Sequence, residues 1–139
     1  MSIVGLVLLA GTVVAVLISR SHGADRAGVR LGTVWANGQS GFGEVEPTYI
    51  SNGGDPTGIV EDVKWTGWGT DIAIGSGFSY YAQDSVADSN REPVVVVAFD
   101  LGVCNGKTGY QGVVWYYPQH GQEFDPSSTY DICSTELLE

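Results

Sequence analysis

The chain divides by pattern into two unlike parts. Residues 2–19, SIVGLVLLAGTVVAVLIS, run for eighteen positions without a charge. At about 1.5 Å of rise per residue they form a helix of roughly 27 Å, close to the hydrocarbon thickness of a bilayer. The pattern therefore predicts one transmembrane helix over 1–20, a retained anchor or an uncleaved signal, then a small polar linker over 21–30 and a β domain over 31–139. Past residue 31, short apolar runs rich in Val, Ile, Trp, Tyr and Phe alternate with Gly, Asn, Asp and Pro clusters, and no stretch keeps helical spacing. The runs predict strands over 31–36, 47–51, 59–65, 71–82, 93–101, 109–117 and 129–132. The expected class is all-β: a compact antiparallel β-sandwich, or a small barrel, of about seven strands.

Local signals sharpen this picture. Asn105-Gly106 asks for a type I′ hairpin, because both central residues of that turn need positive φ. Residues 52–56 (Asn-Gly-Gly-Asp-Pro) and 118–121 (Pro-Gln-His-Gly) are further turns. In the fourth run Ile72, Ile74, Phe78 and Tyr80 alternate with Ala73, Gly75, Gly77 and Ser79. A face of small residues needs a broad cover, and Trp65 or Trp68 from the preceding run can supply it. Residues 94–99 are apolar throughout, as in a strand buried on both faces.

Flanking charge separates the readings of the N-terminal run. A cleaved signal peptide needs a basic segment ahead of a shorter apolar run, and no basic side chain precedes this one. Arg20, Arg26 and Arg30 follow it, which under the positive-inside rule favours a cytoplasmic domain. The cysteine pair and the β-rich acidic composition favour the opposite topology: a single-pass membrane protein with its β domain extracytoplasmic, or alternatively a secreted one.

Charge excludes one large class of partner. The chain has 16 acidic and 6 basic residues; without Asp25, Arg20, Arg26 and Arg30, the part from Leu31 onward keeps 15 against 3, net −12. Nucleic acid requires a basic footprint, and Lys64, Arg91 and Lys107 do not make one. Cys104 and Cys133 form an even pair in a chain read as exported, so a disulfide is expected. No CxxC or paired histidine accompanies them as a metal site would require, and no cofactor is expected.

Candidate chemistry is sparse. His120, with Glu123 and Asp125 close in sequence, is the one candidate general base of the β domain, the alternative reading being a small exported hydrolase. Glu61 and Asp62 occupy adjacent strand positions and should face opposite ways. Asp55, Asp71, Asp100 and Asp131 lie near strand ends, where they are candidates to converge on Ca²⁺, although no EF-hand spacing supports it. Gly38, Gly41 and Gly43 resemble a phosphate-binding loop only loosely, lacking the Lys-Ser/Thr pair and the helix. The aromatic residues Trp65, Trp68, Trp115, Tyr116 and Tyr117 are candidate protein or glycan contacts, or packed core.

Trp65-Thr66-Gly67-Trp68-Gly69 with Ala73, Gly75 and Gly77 resembles a W-x-x-W-G…A-x-G-x-G block of small exported β-domain proteins of high-GC Gram-positive bacteria. Residues 97–102 (Val-Ala-Phe-Asp-Leu-Gly), 104–107 (Cys-Asn-Gly-Lys) and Trp115-Tyr116 before 118–121 are similar to a second block in some members. The resemblance spans about 55–133, departs at Thr70 and lacks a cysteine after the glycine pair. It implies an exported β domain and assigns no activity. The functional expectation is a membrane-anchored extracytoplasmic binding or accessory module, not an enzyme, acting as a small subunit of a larger membrane assembly with other protein subunits. A secreted carbohydrate-binding or inhibitory domain is a further alternative.

Overall fold

The computed structural model describes residues 28–34, 36–128 and 131–133. The helix expected over 1–20 and most of the linker lie outside them. Among the described residues no helix is long and apolar enough to cross a membrane.

Six strands form one curled sheet, a half-barrel: β1 Arg30–Leu31, β2 Ile50–Ser51, β3 Ile59–Thr66, β4 Ala73–Tyr81, β5 Asn90–Cys104 and β6 Lys107–Tyr116. Their order is β1-β6-β5-β4-β3-β2. All neighbours are antiparallel except β1 and β6, which run parallel. The β5–β6 hairpin closes through Asn105 (φ 49) and Gly106 (φ 77), the pair of positive φ values that the Asn-Gly dipeptide predicts.

The seven expected strands become six, and the first two shrink to two residues each. Gly32 (φ 53) turns the chain out of the ladder after Leu31, and Glu46 (φ 45) with Pro47 delays the start of β2. The last expected strand, over 129–132, lies partly outside the described residues; Asp131 and Ile132 are not in a strand. Ile132 instead enters the ladder singly, donating its N–H to the Gln111 carbonyl and accepting from Thr33 N–H, both at 3.0 Å. β5 is longer than expected. Its Pro93 lies beyond the last β5–β6 pair, Val95 with Tyr116, where a missing N–H interrupts no ladder on that side.

Both margins of the sheet are bridged by the long β1–β2 connection. Ser40 exchanges two backbone hydrogen bonds with Ser51 of β2, and Gly43 and Glu44 make the corresponding pair with Leu31 of β1. Phe42, between these anchors, is buried in the core. That core fills the concave side of the sheet with Leu31, Ile50, Val60, Val96, Tyr110 and their neighbours, closed by Trp68 and Ile132.

The small face of β4 is the inward one. Ala73 and Ser79 have no exposed surface, and the Trp65 ring and Val63 lie against Gly75 so closely that a Cβ there would meet them at 2.8–3.1 Å. Val60 and Val63 cover Gly77 in the same way. β5 is an interior strand with apolar contacts on both faces: Val94, Val96 and Ala98 join the main core, while Val97 and Phe99 form an outer cluster with Val114.

The C-terminal end of the described chain is clasped. Cys104, at the end of β5, is disulfide-bonded to Cys133, with Cα atoms 5.1 Å apart. The bond fixes the residue after Ile132, whose side chain is 2% exposed. Gly32 makes room for it, since a Cβ at that position would lie 2.5 Å from the Ile132 carbonyl oxygen.

Candidate functional site

Register across the sheet fixes what the outer face presents. Glu61, Phe78 and Pro93 form one row; Lys64, Ser76, Val95 and Tyr116 the next; Thr66, Ile74, Val97 and Val114 the third. The third row is partly roofed, because Phe124 packs edge-to-face on Phe99 with centroids 5.3 Å apart and extends the outer cluster. The first two rows are open. There Phe78, Val95 and the Pro118–Gln119 turn wall a groove of about 830 Å³, which Lys64 and Asp62 also line. Ile72 and Ile74, 49% and 53% exposed, extend the apolar face beyond it.

A β-bulge shapes one wall. The pairing of β3 with β4 shifts between Glu61 and Lys64, and Asp62 has φ 53. Sequence alternation placed Glu61 and Asp62 on opposite faces; the bulge removes that alternation and turns both carboxylates toward Arg91. Its Nε lies 3.1 Å from Glu61 and its Nη2 3.0 Å from Asp62. The guanidinium also sits 4.2 Å from the centre of the Phe78 ring. Tyr80 donates its hydroxyl to Glu61 at 3.0 Å, and this bond raises the phenol's pKa. The pairs with Arg91 are exposed and contribute little stability each, but together they fix the Phe78 edge of the groove.

His120 follows the Pro118–Gln119 wall in the chain. Its ring stacks on Tyr81 at 3.8 Å between centroids, and Nε2 lies 2.7 Å from Glu92 Oε1. Gln119 reaches the same carboxylate and the Pro93 carbonyl. The couple of His120 with Glu123 or Asp125 is thus corrected to His120 with Glu92, a residue 28 positions away, while Asp125 accepts from Ser127 in its own turn. Ser79, two positions before Tyr81, is fully buried with its hydroxyl donated to the Ile59 carbonyl.

The hydrogen bond from His120 lowers the Glu92 pKa below its ordinary value of 4.5. A depressed carboxylate stabilises the fold fully above its unfolded pKa and loses that contribution as pH falls through the lowered folded value. Glu92→Gln should therefore lower stability modestly above about pH 4.5, converge on the wild type in acid, and so flatten the acid limb in between. Urea midpoints measured across that range check it, and equal acid slopes in both proteins would refute the coupling.

The aromatic candidates are placed mostly inward. Trp68 and Tyr117 are buried, and Trp65 and Trp115 half-buried. Each of the three indoles donates its N–H to a backbone carbonyl: Trp65 to Pro47 at 2.8 Å, Trp68 to Val29 at 3.0 Å and Trp115 to Thr57 at 3.3 Å. Tyr116 borders the outer cluster beside Val95. Burial raises the Tyr110 and Tyr117 phenol pKa values.

The four aspartates do not converge, and among the described residues no group of three metal-binding side chains forms. Asp55 caps the 3-10 turn that Pro56 starts, and Asp131 accepts from the Cys133 N–H. Only Asp71 and Asp100 share a hollow, beside Phe124. No protein-family model, no characterised protein and no solved structure matches this chain.

Proposed function

We propose that this chain is an exported binding module that engages a partner outside the cytoplasm through the groove between Phe78, Val95 and Pro118. The observation that supports it is the groove itself: a mainly apolar trough about the size of ligand sites generally, on the one sheet face that the core and the Phe124 segment leave uncovered. The Cys104–Cys133 disulfide supports an oxidising address. We further propose that residues 2–19 hold the module at the membrane, and that it belongs with the exported β-domain proteins its Trp-Gly block resembles. A protein partner suits the groove better than a glycan, because the indoles that would form a sugar platform direct their N–H groups into the fold.

The test is isolation of the native protein from its own membranes in mild detergent, in wild-type and Val95→Arg forms. A specific protein should accompany the wild type and be absent from the folded variant. A wild type that purifies as a clean monomer refutes the accessory role, and retention of the partner by Val95→Arg moves the contact elsewhere. Intact mass settles attachment separately: loss of residues 2–19 leaves a secreted module.

A further inference from the structure

We propose that a pocket at the β1 end of the sheet binds a phosphate oxyanion. The pocket, about 280 Å³, lies between Arg30 of β1, the Gly32–Val34 turn and the β5–β6 hairpin, with Lys107 and Thr108 on its far wall. That volume is near the lower end for small-ligand sites. Its charge runs against the rest of the molecule. The chain carries 16 acidic residues against 6 basic ones, yet among the described residues this pocket is lined by two cations and no carboxylate.

Arg30 is positioned for the role. Its Nη1 donates to the Gly43 carbonyl at 2.8 Å, which holds the guanidinium in place and leaves its other donors available. Among the described residues neither Arg30 nor Lys107 takes part in an ion pair. Glu44, next to Gly43, gives its backbone carbonyl to Leu31 and does not line the pocket. Thr33, which does line it, has its Oγ1 buried without a hydrogen-bond partner. A guanidinium and an ammonium lining one pocket from two segments suit the oxygens of a phosphate. Two cations are too few for a polynucleotide.

The same end carries the two most exposed large apolar side chains of the described chain, Val34 at 63% and Val103 at 72%. Arg30 lies ten residues after Arg20, the first charged residue past the apolar run. The phosphate therefore has two sources, a phospholipid headgroup or a soluble phosphate; the first rests on the membrane attachment proposed above, the second does not.

Site-resolved NMR of the full chain tests the pocket. In non-ionic detergent, inorganic phosphate should give saturable amide shifts at Thr33, Asn105, Lys107 and Thr108. Lys107→Gln, an exposed change, should weaken binding at least about tenfold while the rest of the spectrum stays in place. In lipid nanodiscs without added phosphate, the same amides shifting with phosphatidylglycerol but not with phosphatidylcholine identifies the headgroup as the source. A response to free phosphate alone assigns a soluble ligand. The proposal fails if these amides respond in neither medium, or if Lys107→Gln binds as the wild type does. Shifts at Phe78 and Val95 report on the groove, so failure of one site is distinguishable from failure of the other.

Discussion

Tyr110→Ala should lower the unfolding free energy by about 4 kcal/mol, and Tyr110→Phe by about 1 to 2 kcal/mol. The side chain has no exposed surface and meets Trp68 edge-to-face at 5.0 Å. Its hydroxyl donates to the Thr70 carbonyl at 2.6 Å and accepts from the Gly69 N–H at 2.9 Å. One residue thus joins β6 to the turn between β3 and β4, some forty positions away in the chain. Alanine removes the ring, the contact with Trp68 and both hydrogen bonds, leaving a cavity at the centre. Phenylalanine keeps the packing and strands one backbone donor and one acceptor. Urea unfolding followed by tryptophan fluorescence, with the disulfide intact, measures both. A loss below about 1 kcal/mol for the alanine variant would show that the core re-forms without this ring.

Opening the disulfide should cost nearly as much by a different route. Cys104 and Cys133 are separated by 29 positions, and closing a loop of that length removes denatured-state entropy worth about 3 to 4 kcal/mol at 25 °C in the chain-entropy model. The effect on the native state should be local. With Cys104 and Cys133 both changed to alanine, Ile132 is held by its two backbone hydrogen bonds and its own packing. Amide exchange at Thr33 and Ile132 should then accelerate well before that of β4 and β5. Uniform acceleration across the sheet would mean that the clasp supports the whole fold. Thiol labelling of protein in intact cells addresses location: labelling of both cysteines without prior reduction is incompatible with export into an oxidising compartment.

What could be read in the sequence was local. Asn105-Gly106 names its own turn, the run at 94–99 announces an interior strand, and the small face of β4 called for the cover that Trp65 and the β3 valines supply. Three features needed partners distant in the chain. The bulge at Asp62 leaves no mark in the residues 59–66 themselves; it is visible only against β4, where the register slips. A similar irregularity occurs at Asp100 (φ 55), across which Phe99 faces the outer cluster and Leu101, two residues on, packs against the main core. Alternation carried through either point assigns later side chains to the wrong side. His120 was visible as the one histidine of the domain, but its partner Glu92 comes from β5, and nothing near residue 120 signals it. The groove was hidden for the same reason: Lys64, Phe78, Val95 and Pro118 belong to four separate segments, and only their lateral order makes them neighbours.

The bridging of both sheet margins by the β1–β2 connection bears on how the molecule behaves in a crowd. A second copy has no vacant ladder on which to continue β1 or β2, and the stretch of β5 that outruns β6 is interrupted by Pro93, whose carbonyl Gln119 already occupies. Among the described residues these two margins therefore offer a second copy no ready template for strand addition. Any contact made along β1 or β2 then falls to side-chain shape and charge rather than to backbone pairing.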